Sequence, residues 1–402
     1  MSKRRALVLV TLAHGLGSLS ILAVAPLSPF LLEGLGLSRA QVGLGLPAAY
    51  LGGVLMSLPA GWLTERRGVR GPLAAGQALT GVMVIAAARA PDFPTLLGCL
   101  LVAGFGFAVL NPATSKAIVD WFLPRERGQA MGIKQAGLTL GGVASAAVLP
   151  SVAVALGWRN ALTLAGLVSL LSAVALALLY RDPHARAAAA VPSPPRLAEV
   201  GSFLGRRPVL VVFLCGLALS LVQSGMLAYF VLAVRDTFGV SVVHAGWLLA
   251  IVHVGGAAGR LGWGVVSDRL FGGRRRPGLA INALVAAMVL GALAVGPWLP
   301  AALLPALALV GGVAGFGWVG LYLTLVAEIG GARAAGLLTG LAVIFSWGGV
   351  LVGPPLFGLL LHATDSYRVA WLVLALDALV VAATLPRLRP LVQREPVTER
   401  AA

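Results

Sequence analysis

The sequence predicts an all-α membrane protein: twelve transmembrane helices in two pseudo-symmetric six-helix bundles. Three observations carry this prediction. The chain of 402 residues is 59% hydrophobic and 11% charged, with a mean hydropathy of +0.94. A water-soluble domain cannot bury that much apolar side chain, because its own surface has to be polar. Apolar runs of about 20 residues, the length that crosses a bilayer core, recur along the chain. The charged residues collect in alternate connections between those runs. A transmembrane barrel would show short segments of alternating polarity instead.

Breaks at charged and Gly/Pro clusters place the spans near 6–32, 41–63, 71–89, 94–116, 128–150, 158–180, 208–234, 243–266, 277–296, 300–326, 334–362 and 369–386. The opening MSKRRALVLVTLAHGLGSLSILAVA has the basic start and Ala-Val-Ala of a signal peptide. Its apolar run continues to Leu32, however, which suits a first span rather than a cleaved leader. The longest connection, 181–207, is rich in Ala and Pro and reads as a cytoplasmic linker. It divides the chain into a bundle over 1–180, the linker 181–207, and a second bundle with a short tail over 208–402.

Of the 30 Lys and Arg, 23 fall in one alternating set of connections and tails. Five (Arg39, Arg89, Arg159, Arg235 and Arg368) fall in the other, and Lys134 and Arg260 lie inside spans. The positive-inside bias puts both termini in the cytoplasm of a multi-pass protein of the bacterial-type inner membrane. The net charge of +16 is then a matter of topology, and nucleic-acid binding is not implied. Cys99 and Cys215 sit in apolar runs, so neither a disulfide nor a metal site is expected.

The two halves repeat. GWLTERRGVRG follows the second span and GVVSDRLFGGRRR the eighth, with Glu65 and Asp268 203 positions apart. Gly128 and Gly336, opening the fifth and eleventh spans, are 208 apart; Arg159 and Arg368, opening the sixth and twelfth, are 209 apart. Near-constant offsets indicate a duplicated six-helix unit.

With these motifs the chain resembles the major facilitator superfamily of transporters over nearly its whole length. The family's loop signature, Gly-x-x-x-Asp-Arg-x-Gly-Arg-Arg, is matched best by Gly264, Asp268, Arg269, Gly272 or Gly273 and Arg274 to Arg276. The first copy keeps Gly61, Arg66, Gly68 and Arg70 but has Glu65 for the aspartate. The resemblance implies two bundles rocking about a central site, with spans 1, 4, 7 and 10 lining the cavity and 2, 5, 8 and 11 flanking it. GRLGWGVVSDRL and GPPLFG…SYRVAW look like monocarboxylate, oxalate/formate and cyanate-type permeases. Charges at the span ends are expected to form a gate, Asp120 with Arg66 or Arg67 and Glu328 with Arg269.

Ionisable residues inside spans cost at least about 2.5 kcal/mol near a helix centre, so they point to function. His14, Lys134, His253, Arg260 and Asp377 form the list, with Lys116 near a span end. His253 and Arg260 are two turns apart on one face. No carboxylate lies at mid-depth in the expected cavity spans. Buried cations demand an anion, and a substrate can supply it. Arg260 is therefore expected to grip a small, monocarboxylate-like anion in two hydrogen bonds, with Lys134 adding field and His253 as polar contact or proton carrier. Asn111, Gln135, Gln223, Tyr322 and His14 complete the expected binding residues, with Ser224 and Trp318 as further polar neighbours. The expected activity is secondary transport, coupled to protons or by exchange, with no cofactor, metal or enzymatic chemistry. The expected partners are the substrate and the lipid bilayer, and the chain is expected as a monomer. The alternative is proton-driven efflux of drugs or lipophilic cations, which needs an embedded acid near the cavity.

The charge split predicts that cysteines introduced near Asp92 and Asp365 react with membrane-impermeant reagents added outside cells, while one near Ala189 does not. External labelling near Ala189 would overturn the orientation.

Overall fold

The computed structural model describes residues 1–183, 201 and 203–388. Most of the predicted linker, and the tail beyond 388, lie outside the described residues. Twelve helices are long and apolar enough to cross a membrane: α1 (Lys3–Leu22), α2 (Arg39–Arg67), α3 (Arg70–Ala88), α4 (Phe93–Trp121), α5 (Pro124–Leu156), α6 (Trp158–Leu179), α7 (Arg207–Phe238), α8 (Val242–Leu270), α9 (Arg275–Val295), α10 (Ala301–Gly331), α11 (Leu337–Thr364) and α12 (Tyr367–Arg387). They match the expected spans one for one. Several run past the apolar stretch because polar caps extend them. Ser38 and Gln41 form a capping box at the start of α2. Asp92 accepts from the Thr95 backbone at 2.9 Å at the start of α4, and those hydrogen bonds hold its carboxyl below the usual carboxylate range. Gly331, at φ 56°, turns the chain between α10 and α11.

The packing repeats as the sequence does. In the first half α1 packs on α5, α2 on α4 and α3 on α6. In the second, α7 packs on α11, α8 on α10 and α9 on α12. Small residues make the closest approaches possible. Gly52 and Gly104 set α2 on α4 by lying against the backbones of Leu101 and Ala49, and Gly255 and Gly312 do the same for α8 on α10. Contacts between halves run along α5 with α8 and α2 with α11.

The two ends of this seam differ. One face carries the N-terminus and the arginine-rich loops and is called the basic face here. At the opposite face, charges join the halves. Arg39 pairs with Asp365 at 2.6 Å and Asp236 at 3.8 Å, and Arg235 pairs with Glu33 at 2.7 Å. Tyr229 donates its hydroxyl to the Arg39 carbonyl at 2.7 Å, and Tyr367 donates to Asp236 at 2.7 Å. At the basic face, every ion pair among the described residues stays within one half. The molecule is therefore shut at the opposite face and open at the basic one.

In this conformation, open at the basic face, the charges expected to form the gate take other partners. Asp120 pairs with Lys116 at 3.6 Å, and Lys116 also holds Glu65 at 3.2 Å. Arg66 instead lies over the Trp62 ring at 4.4 Å. Glu328 pairs with Arg275 at 3.0 Å, and Arg275 also holds Asp268. Arg269 has no ion pair among the described residues. Adjacent helix residues point about 100° apart, so Arg269 turns away from its neighbour's partners. Gly272 and Gly273, both at positive φ, fold the chain back and bring Arg275 to them.

Arg39→Asp or Asp365→Arg should open the opposite face, and the double swap should restore closure. Spin-label distances across that face measure this; unchanged distances in both single variants would show the pairs to be incidental.

Candidate functional site

Two helix stripes meet at the middle of the seam. On α8, His253, Gly256 and Arg260 share a face; on α5, Gln135, Leu138, Thr139 and Gly142 do. The helices touch where the His253 ring lies on Gly142. A methyl group there would come within 2.6 Å of the ring. Farther toward the closed face, Gly246 sits on Ala146 and Pro150. Toward the basic face the helices part: Gly128 and Gly132 of α5, and Gly262 and Gly264 of α8, have no neighbour within 4 Å of a Cβ position.

Where they part lies a cavity of about 40 Å³. Both halves line it: Leu22, Tyr50, Phe107, Leu138 and Thr139 from the first, Gln223, Leu227, His253, Gly256, Arg260 and Phe316 from the second. The rings support one another, with Tyr50 6.3 Å from Phe107 and 6.4 Å from Trp347, and His253 edge-on to Phe316 at 5.7 Å.

Arg260 is the cation of this cavity. Its Nε donates to the Phe316 carbonyl at 3.3 Å. Its two terminal nitrogens have no acceptor, and no carboxylate pairs with it, among the described residues. His253 is 7% exposed, and neither of its ring nitrogens has a hydrogen-bond partner among the described residues. Gln223 lines the cavity and accepts from Trp318 Nε1 at 2.9 Å through its side-chain oxygen, so its amide N–H groups remain to donate. The site thus offers donors to an anion: a guanidinium with its fork open, an imidazole and an amide.

The other expected site residues take different places. Lys134 does not line the cavity. It is 2% exposed and donates to Asn111 Oδ1 at 2.8 Å and Ser115 Oγ at 3.1 Å, both on α4. Asn111 is exposed one turn along α4 from Phe107, and Gln135 is exposed one turn from Leu138 and Thr139, so both stand on the open side of the cavity. His14 is buried with Nδ1 3.4 Å from Thr114 Oγ1. Tyr322 does not line the cavity: it is 1% exposed, its ring tilted at 57° to that of Trp318 5.4 Å away and laid over Gly216 inside the second half, because the glycine leaves room for its ring. Ser224 bonds backbone carbonyls, and Asp377 on α12 does not line the cavity. Sequence reasoning missed Tyr50 and Thr139. A lone tyrosine in a Gly/Ala-rich span was the available signal for Tyr50; Thr139 gave none beyond its spacing from Gln135.

Comparison with known proteins agrees with this architecture. The family model described as Major Facilitator Superfamily matches residues 8–354. An MFS-type transporter of Mycobacterium tuberculosis (strain ATCC 25618 / H37Rv) is 30% identical over 392 residues, covering 96% of this chain and 86% of the relative. The hexuronate transporter of Bacillus subtilis (strain 168) is 24% identical, covering 94% of this chain and 93% of the relative. Among solved structures, a bacterial homolog of the human lysosomal transporter Spinster, in an inward-facing and unoccupied conformation, shares the fold with a TM-score of 0.83 at 17% identity, covering 95% of this chain and 96% of that one.

Gly142→Ala should force the His253 ring off its seat and lower transport or thermal stability by about 1–3 kcal/mol in overpacking terms. His253→Ala should relieve that strain, so the double variant should be less impaired than the sum of the two. A thermal-melt double-mutant cycle measures the coupling; strict additivity would mean the contact is slack.

Proposed function

The chain belongs to the Major Facilitator Superfamily, and on that premise we propose that it is a secondary transporter of a small organic anion, with the basic face cytoplasmic. The observation that carries this reading is the unpaired guanidinium of Arg260 in a cavity shared by both halves. A charge at such depth costs several kcal/mol unless it is paired and hydrogen-bonded. A flat oxyanion completes it, because the arginine fork matches a carboxylate in two parallel hydrogen bonds. A monocarboxylate end suits this geometry, with His253 and Gln223 donating to further oxygens. The relative named for hexuronate, itself a sugar carboxylate, supports the same substrate class.

In the described conformation the anion enters from the basic face between the parted ends of α5 and α8. Bound at Arg260, it contacts the second half directly and the first through Tyr50 and Thr139. Alternating access then draws the glycine-lined ends of α5 and α8 together and releases Arg39 and Arg235 at the opposite face. The triads Glu65–Lys116–Asp120 and Asp268–Arg275–Glu328 tie helix ends within each half, so that each moves as a body. Proton-driven efflux of lipophilic cations is the weaker reading, since among the described residues no acid lines the cavity.

Arg260→Lys should fail nearly as badly as Arg260→Ala, because lysine keeps the charge and loses the two-pronged geometry. Losing a charge-assisted contact in a desolvated site should cost about 2–5 kcal/mol, roughly 30- to several-thousand-fold in affinity. Counterflow of small monocarboxylates and hexuronates in proteoliposomes measures it. Folded Arg260→Ala protein that moves these anions at the normal rate would sink the reading, and transport of lipophilic cations in its place would favour efflux.

A further inference from the structure

A proton-coupled carrier holds its proton on a titratable group that cavity water can reach, most often a carboxylate in the membrane interior. No carboxylate qualifies here among the described residues. Glu33, Asp92, Asp236 and Asp365 lie at the closed face. Glu65, Asp120, Glu126, Asp182, Asp268 and Glu328 lie at the basic face. Asp377, on α12, packs within the second half against α9 and α7, near Cys215, and does not line the cavity. Arg260 stays charged at any working pH. A base must do the work if a proton is carried at all.

We infer that Lys134 is the proton carrier of the transport cycle, at a site on the first half distinct from the anion site at Arg260. The inference rests on the anion-transport reading above.

The surroundings of Lys134 suit both protonation states. An ammonium has three N–H donors and a neutral amine has two. Lys134 has two acceptors, Asn111 Oδ1 at 2.8 Å and Ser115 Oγ at 3.1 Å, and both are neutral. A neutral amine keeps both bonds, and the third proton can leave without orphaning a partner. A lysine built as a fixed charge would have a carboxylate beside it, as Lys116 has in Glu65 and Asp120. Here none pairs with it among the described residues. Water also comes near: Asn111, which accepts from Nζ, is exposed on the open side of the cavity.

Position adds the coupling. Gly142 and His253 mark where α5 meets α8. Lys134 is eight residues from that contact and Arg260 seven, both toward the basic face. At 1.5 Å per residue they lie at nearly equal depth, roughly 10–12 Å from the crossing. The charged and titratable groups on every packed neighbour leave the field positive. α1 brings His14, within electrostatic reach of Lys134. α4 brings Lys116, already held with Asp120. α8 brings His253 and Arg260. α6 brings only Arg159, at its closed-face end on the carbonyls of Ala88 and Ala90. An anion on Arg260 lowers this field and favours protonated Lys134. By linkage a protonated Lys134 favours the anion equally, which is symport.

The test uses full-length protein in proteoliposomes, with D-glucuronate and L-lactate as probes and an imposed pH gradient. The wild type should accumulate a probe when its entry side is acid. Lys134→Arg and Lys134→Gln should each cut accumulation by about tenfold, while probe-for-probe counterflow in Lys134→Arg stays near wild type and shows the protein to be folded. In weakly buffered detergent solution, a pH indicator should report proton uptake when the probe binds to wild type, and none with Lys134→Arg, whose retained counterflow shows that it still binds the probe. Normal accumulation in Lys134→Arg would reduce Lys134 to a fixed charge and overturn the inference. Proton uptake retained in Lys134→Arg would place the proton on another group and overturn it too. Wild-type counterflow without pH-driven accumulation would overturn the coupling but spare the anion site. Failure of the wild type to bind or exchange either probe would sink both.

Discussion

Arg260 cannot shed its charge, and it sits where the chain has least to offer a charge. One backbone carbonyl, that of Phe316, accepts from it, and aromatic rings stand round it. Removing a partner from a buried ion pair typically costs 3–5 kcal/mol, because the other charge is left uncompensated. Here the uncompensated charge is the native arrangement. Stability alone would favour an apolar residue at this position, and the anion-transport proposal gives the arginine its reason. The open basic face follows from the same constraint, since water entering between the parted helices is the remaining solvent for the guanidinium.

The seam built around that cation is stiff at one end and loose at the other. From mid-seam to the closed face, α5 and α8 touch closely, the His253 ring on Gly142 and Gly246 on Ala146 and Pro150. Each half-joining ion pair outside that contact has at least one exposed partner, Asp365 to 87%, Glu33 to 64% and Arg39 to 38%. Exposed pairs are each worth about 0–1 kcal/mol. A latch of that strength suits a carrier that must break it in every cycle, when a tightly packed apolar seal would be slow to open. At the basic end the same helices present Gly128, Gly132, Gly262 and Gly264 to open space. Small residues there cost packing now and allow close approach when that end shuts.

The halves share a geometry more than a register. Each ties helix ends with an acid–base–acid triad, the first joining α2 and α4, the second α8, α9 and α10. The acids correspond, Glu65 with Asp268 and Asp120 with Glu328. The bases do not, since Lys116 comes from near the end of the fourth helix and Arg275 from the start of the ninth. A base needs only to reach two carboxylates, and a long flexible side chain can do so from more than one backbone position.

Solvent preference is a property of each residue, so the sequence alone determined what depends on it: twelve spans, the alternation of basic loops, the repeat, and the few ionisable groups stranded at membrane depth. Arg260 and His253 were legible in that way, as residues in the wrong solvent. Which way a side chain points within its span was decided only in three dimensions. Lys134 and Gln135 are adjacent, yet one is buried against α4 and the other stands in the open cavity. Tyr322 was expected at the site and lies over Gly216, while Tyr50, unremarked in the sequence, flanks Arg260. Arg269 stands beside Asp268, but Arg275 reaches it. The physical reason is common to all of them. Hydropathy places a helix in the bilayer without setting its rotation about its own axis, and that rotation comes from close packing against helices far away in the chain.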